Sequence, residues 1–169
     1  ISIPFYAFKK NYFNPFFMKK LHLFYFTIFS VFFISCGSIR TATFDQYSYQ
    51  KATEIKVETN QLLDNAIYPY ADYENEIKDL KSELDKIVEY EKNKPYNDIS
   101  LKMWKILSDE ERNLLAGFLR RWEEEKQMSR VFVDEAKSQI LEAIDIIIKY
   151  ESNKDKESKD DLMNLIMNN

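Results

Sequence analysis

Residues 73–88, Tyr-Glu-Asn-Glu-Ile-Lys-Asp-Leu-Lys-Ser-Glu-Leu-Asp-Lys-Ile-Val, decide the fold class. Tyr73, Ile77, Leu80, Leu84 and Ile87 recur in steps of four and three, the spacing that places apolar side chains on one stripe of an α-helix. A half-buried strand would need alternation at every second residue, and there is none worth assigning. Between the apolar positions lie Glu74, Glu76, Lys78, Asp79, Lys81, Glu83, Asp85 and Lys86, a solvated face with opposite charges three and four residues apart. The stripe is as narrow as a coiled-coil seam, so this helix needs neighbours to cover it. Its expected span is about Tyr70 to Asn93, closed by Lys94-Pro95, because proline disfavours helical geometry at the residue before it.

The flanking segments supply those neighbours. Ala52, Ile55, Thr59, Leu62 and Ala66 form a thinner stripe on a helix predicted over Phe44 to Ala66, with Phe44 and Tyr47 at its start and Thr43 as its cap. Tyr68-Pro69-Tyr70 breaks that helix from the next. Asp98 or Ser100 can cap a short helix through Leu107, with Leu101, Trp104, Ile106 and Leu107 on overlapping faces. Ser108-Asp109-Glu110-Glu111 has the form of a capping box. It predicts a helix to about Gln127 that buries Leu114, Leu115, Phe118, Leu119 and Trp122. Ser129 caps a last long helix, Val131 to Glu151, whose stripe is Val133, Ala136, Ile140, Ala143, Ile144 and Ile147. After Ser152 the chain is too charged to pack, with Leu162, Leu165 and Ile166 left for a short amphipathic turn. No repeat of fixed period stands out.

The chain therefore reads as all-α: a small antiparallel helical bundle of about four main helices plus a short helix. The bundle occupies residues 44–151 and a charged C-terminal tail residues 152–169. Low glycine and proline support long helices, since only Gly37, Gly117, Pro69 and Pro95 follow residue 35.

The N-terminal third is different. Ten of the 13 phenylalanines precede Cys36. Met18-Lys19-Lys20 opens a basic start, and Leu21 to Ile34 is an apolar run of fourteen residues. A spanning helix needs about 20 apolar residues, so the run suits a secretory signal rather than a permanent anchor. Residues 1–17, which carry Pro4 and Pro15, read as an upstream extension before the initiating Met18.

Phe33-Ile34-Ser35-Cys36, followed by Gly37, resembles the lipobox of bacterial lipoproteins. In that family the position three before the cysteine is usually leucine, where this chain has Phe33. The resemblance implies cleavage before Cys36, a diacylglyceryl group on its sulfur and an acylated amino terminus, palmitate among the chains. One acyl chain holds weakly and two or more hold durably. Residues 18–35 are then a signal peptide and residues 36–43 a tether of at most about 25 Å. The family's sorting habit, with Gly37 rather than Asp after the cysteine, implies the outer membrane in a two-membrane cell. In a cell with one membrane it implies the outer face of the cytoplasmic membrane.

The residues beyond Cys36 constrain the chemistry. All 28 Asp and Glu lie there, whereas Lys9, Lys10, Lys19 and Lys20 fall before it, which leaves a formal charge of −8. An acidic chain argues against nucleic acid and against electrostatic adhesion to anionic lipid, so the lipid on Cys36 must hold the protein. His22, the sole histidine, lies in the signal, and Cys36 is the sole cysteine. Imidazole and thiol nucleophiles, the usual zinc ligands and histidine-ligated haem are thereby excluded, and no metal or cofactor is expected. Carboxylate pairs such as those within Glu110-Glu111 or Glu123-Glu124-Glu125 are the one remaining catalytic apparatus. As runs on helix surfaces they read first as solvated faces.

Two groups stand out as partner-binding candidates. Arg112, Arg120 and Arg121 beside Trp122 form a cationic patch, with Arg112 and Arg120 eight apart on one expected helix face, unless neighbouring glutamates neutralise them. Tyr68 and Tyr70, with Tyr47, Tyr49 and Tyr73, offer the amphipathic rings common at interfaces and at bundle ends. Gly117 inside a helix costs about 1 kcal/mol against alanine and points to a close helix crossing. The expected function is a non-enzymatic interaction or scaffold module that binds an envelope protein. An inhibitor or immunity lipoprotein acting on a toxin or wall hydrolase is the alternative, and a carboxylate-based glycan-cleaving enzyme the remote one.

Overall fold

A computed structural model describes residues 42–168. The expected extension, signal peptide and lipidated Cys36 lie outside the described residues. Among the described residues the chain is all-helical, with six α-helices, two short 3₁₀ turns and no strand. None of these helices is long and apolar enough to cross a membrane.

Helix α1 spans Gln46–Asp64 and α2 spans Glu74–Lys92. Asp45, rather than Thr43, caps α1: its backbone is extended and its carboxylate accepts from the Tyr47 N–H at 2.9 Å. Pro69 and a 3₁₀ turn over Tyr70–Asp72 delay the start of α2. Ile77, Leu80, Leu84 and Ile87 are all buried, as their spacing requires. Helix α3 spans Asp98–Leu107 and α5 spans Arg130–Asn153, the latter capped by Ser129, whose hydroxyl accepts from the Phe132 N–H.

Two further expectations are corrected. Helix α4 covers only Leu115–Glu125 and does not begin at Ser108. Asp109 is the reason: its carboxylate accepts from the Glu111 N–H and its carbonyl from the Arg112 N–H, a local turn that competes with the helix. The charged C-terminal segment packs. Lys156–Asn168 is helix α6, with Ser158, Leu162 and Ile166 buried. Few apolar residues suffice because α6 lies across α5 and α3, which already present an apolar surface.

Helix α1 packs chiefly on α5 and then on α2, and runs opposite to both. At its C-terminal end the Ala66 carbonyl accepts from the Met128 N–H at 2.9 Å, just before α5 begins, and Asp64 pairs with Lys137. At its N-terminal end Ser48 bonds Glu91, at the close of α2. One core joins Ile55, Leu63, Leu84, Trp104, Leu115, Trp122, Ile144 and Tyr150. Its two ends lie about 28 Å apart, the length of the 19-residue α1 at 1.5 Å per residue.

Candidate functional site

The far end, beyond the C-terminus of α1, gathers Tyr68, Tyr70 and Trp122. Tyr68 and Pro69 are extended between two 3₁₀ turns, which leaves the Tyr68 carbonyl and the Tyr70 N–H free of helical partners and able to reach across to α4. The Trp122 indole N–H donates to the Tyr68 carbonyl at 3.1 Å, and the Tyr70 N–H donates to the Lys126 carbonyl at 2.8 Å. Trp122 is fully buried, with Tyr70 edge-on at 5.7 Å between ring centres and Tyr73 at the same distance. Trp122 and Tyr70 therefore close the end of the core, while the Tyr68 side chain remains 50% exposed.

Beside them α4 and α5 form a groove of about 360 Å³ lined by Gly117, Phe118, Arg121, Phe132, Glu135 and Gln139, among others. Phe118 and Phe132 stack at 5.8 Å with an interplanar angle of 11°. The Arg121 guanidinium lies 4.2 Å from the centre of the Phe132 ring while its Nε donates to Glu125 at 2.7 Å. Val131, the neighbour of Phe132 in the chain, is 77% exposed.

The other arginines lie elsewhere. Arg120 pairs with Glu111 at 3.3 Å and Glu124 at 3.8 Å, and Arg112 lies 3.6 Å from Asp109. Because Arg112 belongs to the turn before α4, it shares no helix face with Arg120. Gly117 marks a close approach, but to its own chain: a Cβ there would lie 1.7 Å from the Arg112 carbonyl oxygen.

The near end holds a buried polar network that the sequence reading missed. Glu91 and Glu151 are both buried, each at the position where the apolar stripe of its helix would continue: Leu84, Ile87, Glu91 and Ile144, Ile147, Glu151. The Ser48 hydroxyl and the Asn97 amide donate to Glu91, and the Ser100 hydroxyl donates to Glu151. Lys94 lies 3.8 Å from each glutamate, 3.3 Å from Asp45 and 3.0 Å from Ser48. Lys154 lies 2.6 Å from Glu151 and 4.3 Å from the centre of the Tyr150 ring.

Burial, and then repulsion from Glu151, push the Glu91 carboxyl above its ordinary value of 4.5. Burial pushes the Tyr150 hydroxyl up to about 12 and the Lys154 ammonium below its ordinary value. The signal for this network was present in the chain. Tyr90-Glu91-Lys92-Asn93-Lys94 and Tyr150-Glu151-Ser152-Asn153-Lys154 share Tyr-Glu-x-Asn-Lys, one copy closing each of α2 and α5. A short helix comes after each copy, α3 after the first and α6 after the second. The lysine placed three after each glutamate meets the helix C-terminus, where a cation is favoured.

A third feature is an acidic groove of about 510 Å³ between α1 and α2, lined by Glu58, Glu76, Asp79 and Glu83 with Lys86. Burial, then repulsion from Glu83, raise the Glu58 carboxyl. Of the carboxylates singled out in the sequence, Glu110 pairs with Lys81, Glu124 with Arg120 and Glu125 with Arg121. The buried Glu91 and Glu151 are engaged by hydroxyls, an amide and lysines, and neither lines this groove or the one beneath Arg121.

No family model matches this chain, and neither a curated protein nor a solved structure matches it.

Proposed function

We propose that the protein is a lipid-anchored, non-enzymatic interaction module of a bacterial cell envelope, held at Cys36 and presenting its far end to another envelope protein. The helical domain is read as an antiparallel bundle of about four main helices, α1, α2, α4 and α5, with α3 and α6 laid across it. The observation that carries the reading is the far-end surface. Val131, next to Phe132 in the chain, and Tyr68 are exposed at the end that holds the Arg121–Phe132 groove, about 28 Å along α1 from the end where the tether joins. Aromatic and arginine side chains around a groove of mixed polarity are the usual anchors of protein interfaces.

The test is crosslinking in the native envelope, followed by capture with the native chain, a Cys36→Ala form and a Val131→Asp form. One envelope protein captured by the native chain and lost with both variants is the expected result. Undiminished capture by Val131→Asp would remove the far end as the contact. Capture of no protein by any form would sink the module reading.

The acidic α1–α2 groove favours a second reading, an inhibitor of a basic toxin or wall hydrolase. Capture of a soluble basic enzyme, weakened by Glu83→Lys, would support it.

A further inference from the structure

At the near end, Phe44, Tyr47, Tyr49, Tyr90 and Tyr96 are between 36% and 55% exposed. They are five of the nine large hydrophobic side chains that are exposed among the described residues, so the clustering is strong. The Tyr47 and Tyr90 rings touch at 4.4 Å between centres, and Phe44 lies 6.3 Å from Tyr49. The Tyr90 hydroxyl donates to Asp45 at 2.7 Å, which fixes its ring on the rim. The Ala42 N–H donates to the Tyr96 carbonyl at 3.0 Å, so the chain enters the domain within this ring of aromatics.

Five charged residues of this end are turned inward, whereas Asp98, Asp155 and Lys156 stay exposed. Asp45, Glu91, Lys94, Glu151 and Lys154 pair with one another beneath the rings. Glu89 and Lys92, on the flank, pair with each other at 3.2 Å. The rings left outward, with their phenolic tips and a few exposed charges around them, have the chemistry that settles at the headgroup level of a bilayer, where one side of the ring is apolar and the other wet.

We infer that this aromatic end, Phe44, Tyr47, Tyr49, Tyr90 and Tyr96, seats against the lipid headgroup layer and stands the helices upright on the membrane. The inference rests on the lipid-anchor reading of Cys36 and adds an orientation to it. Covalent connectivity supplies the argument for lipid as the occupant. Five residues separate Cys36 from Ala42, a span of at most about 20 Å even when fully extended, so an acylated Cys36 confines this end to the bilayer surface. A segment carrying net negative charge gains nothing from anionic lipid, so contact through neutral rings requires no charged headgroup. Upright seating also carries Tyr68 and Val131 away from the membrane, toward a partner.

Nitroxide labels read the orientation. Gln46→Cys lies beside the rings without removing one, and Val131→Cys lies at the far end. Each acylated variant is placed in phosphatidylcholine vesicles, and label collisions with oxygen and with a water-soluble nickel chelate are compared. The ratio of oxygen to nickel collisions is expected to be severalfold higher at position 46 than at 131, and unchanged by salt. The contrast should collapse when Phe44, Tyr47 and Tyr49 are all changed to serine, a replacement confined to exposed positions. Equal ratios at the two positions in a chain whose Cys36 is acylated by mass spectrometry would overturn the seating while leaving the anchor intact. An unmodified Cys36 in cells would overturn the anchor reading and the seating with it.

Discussion

The Lys94 ammonium stands 3.8 Å from the Glu151 carboxylate and 3.8 Å from that of Glu91, bridging the C-terminal ends of α2 and α5, which run the same way. Among the described residues it is the one cation within 4 Å of both glutamates of the Tyr-Glu-x-Asn-Lys pair. Two buried carboxylates without it would face each other across a low-dielectric interior. Removing one partner of a buried ion pair leaves an uncompensated charge and costs far more than removing the pair.

Lys94→Met should therefore destabilise the domain by about 3 kcal/mol, the lower part of the range for breaking a buried pair. Urea unfolding at neutral pH reads this directly. A loss below about 0.5 kcal/mol would place Lys94 among ordinary surface charges.

The pH dependence of stability isolates Glu91. Its carboxyl is raised in the folded state by burial and then by Glu151, above the ordinary 4.5. A carboxyl so raised binds protons more readily in the folded chain than in the unfolded one. Its contribution to stability is thus present below 4.5 and lost as pH rises through the folded value. The expected outcome is that Glu91→Gln gains stability relative to the native chain as pH rises from 4.5 to neutrality. Parallel stability curves for the two chains across that window would refute the assignment.

Gly117→Ala should destabilise by at least about 1–3 kcal/mol, the cost of forcing extra atoms into a packed site. In an open helix the same change would stabilise by up to about 1 kcal/mol, so the sign of the effect decides. A rigid obstacle, the Arg112 carbonyl oxygen, stands where the methyl would go. A rise in melting temperature would contradict this geometry.

Leu162→Ala tests whether the last helix belongs to the core. Leu162 is fully buried in α6, and deleting a buried leucine side chain costs about 2–5 kcal/mol. Hydrogen exchange should show the amides of 156–168 losing protection together with those of α5. An unchanged melting curve would mean that α6 contributes nothing to the fold.

The sequence by itself determined what is local. Ile77, Leu80, Leu84 and Ile87 had to form a helix with one buried stripe, because helical period is written into consecutive residues. Ser129 could be read as a cap for the same reason, since capping involves a side chain and the next few amides. The all-α class came from several such stripes. Trp122 was legible beside the arginines and Tyr68 and Tyr70 among the tyrosines, but their meeting, as a buried closure and one exposed ring, was not. That depended on the reach of the Tyr68 carbonyl to the Trp122 indole from 54 residues away.

Tertiary structure decided most of the rest. Ser108 to Glu111 had the spacing of a capping box, yet Asp109 forms a competing local turn and α4 begins at Leu115, one departure that is local rather than tertiary. The residues of α6 looked too charged to pack, yet α3 and α5 together supply the apolar surface that makes Leu162 and Ile166 enough. Glu91 and Glu151 sat in stripe positions as apparent exceptions. Whether a carboxylate there is a defect or a stabilising contact depends on which lysine, serine and asparagine arrive from other helices. Only long-range packing brings Lys94, Ser48, Asn97 and Ser100 to those two carboxylates.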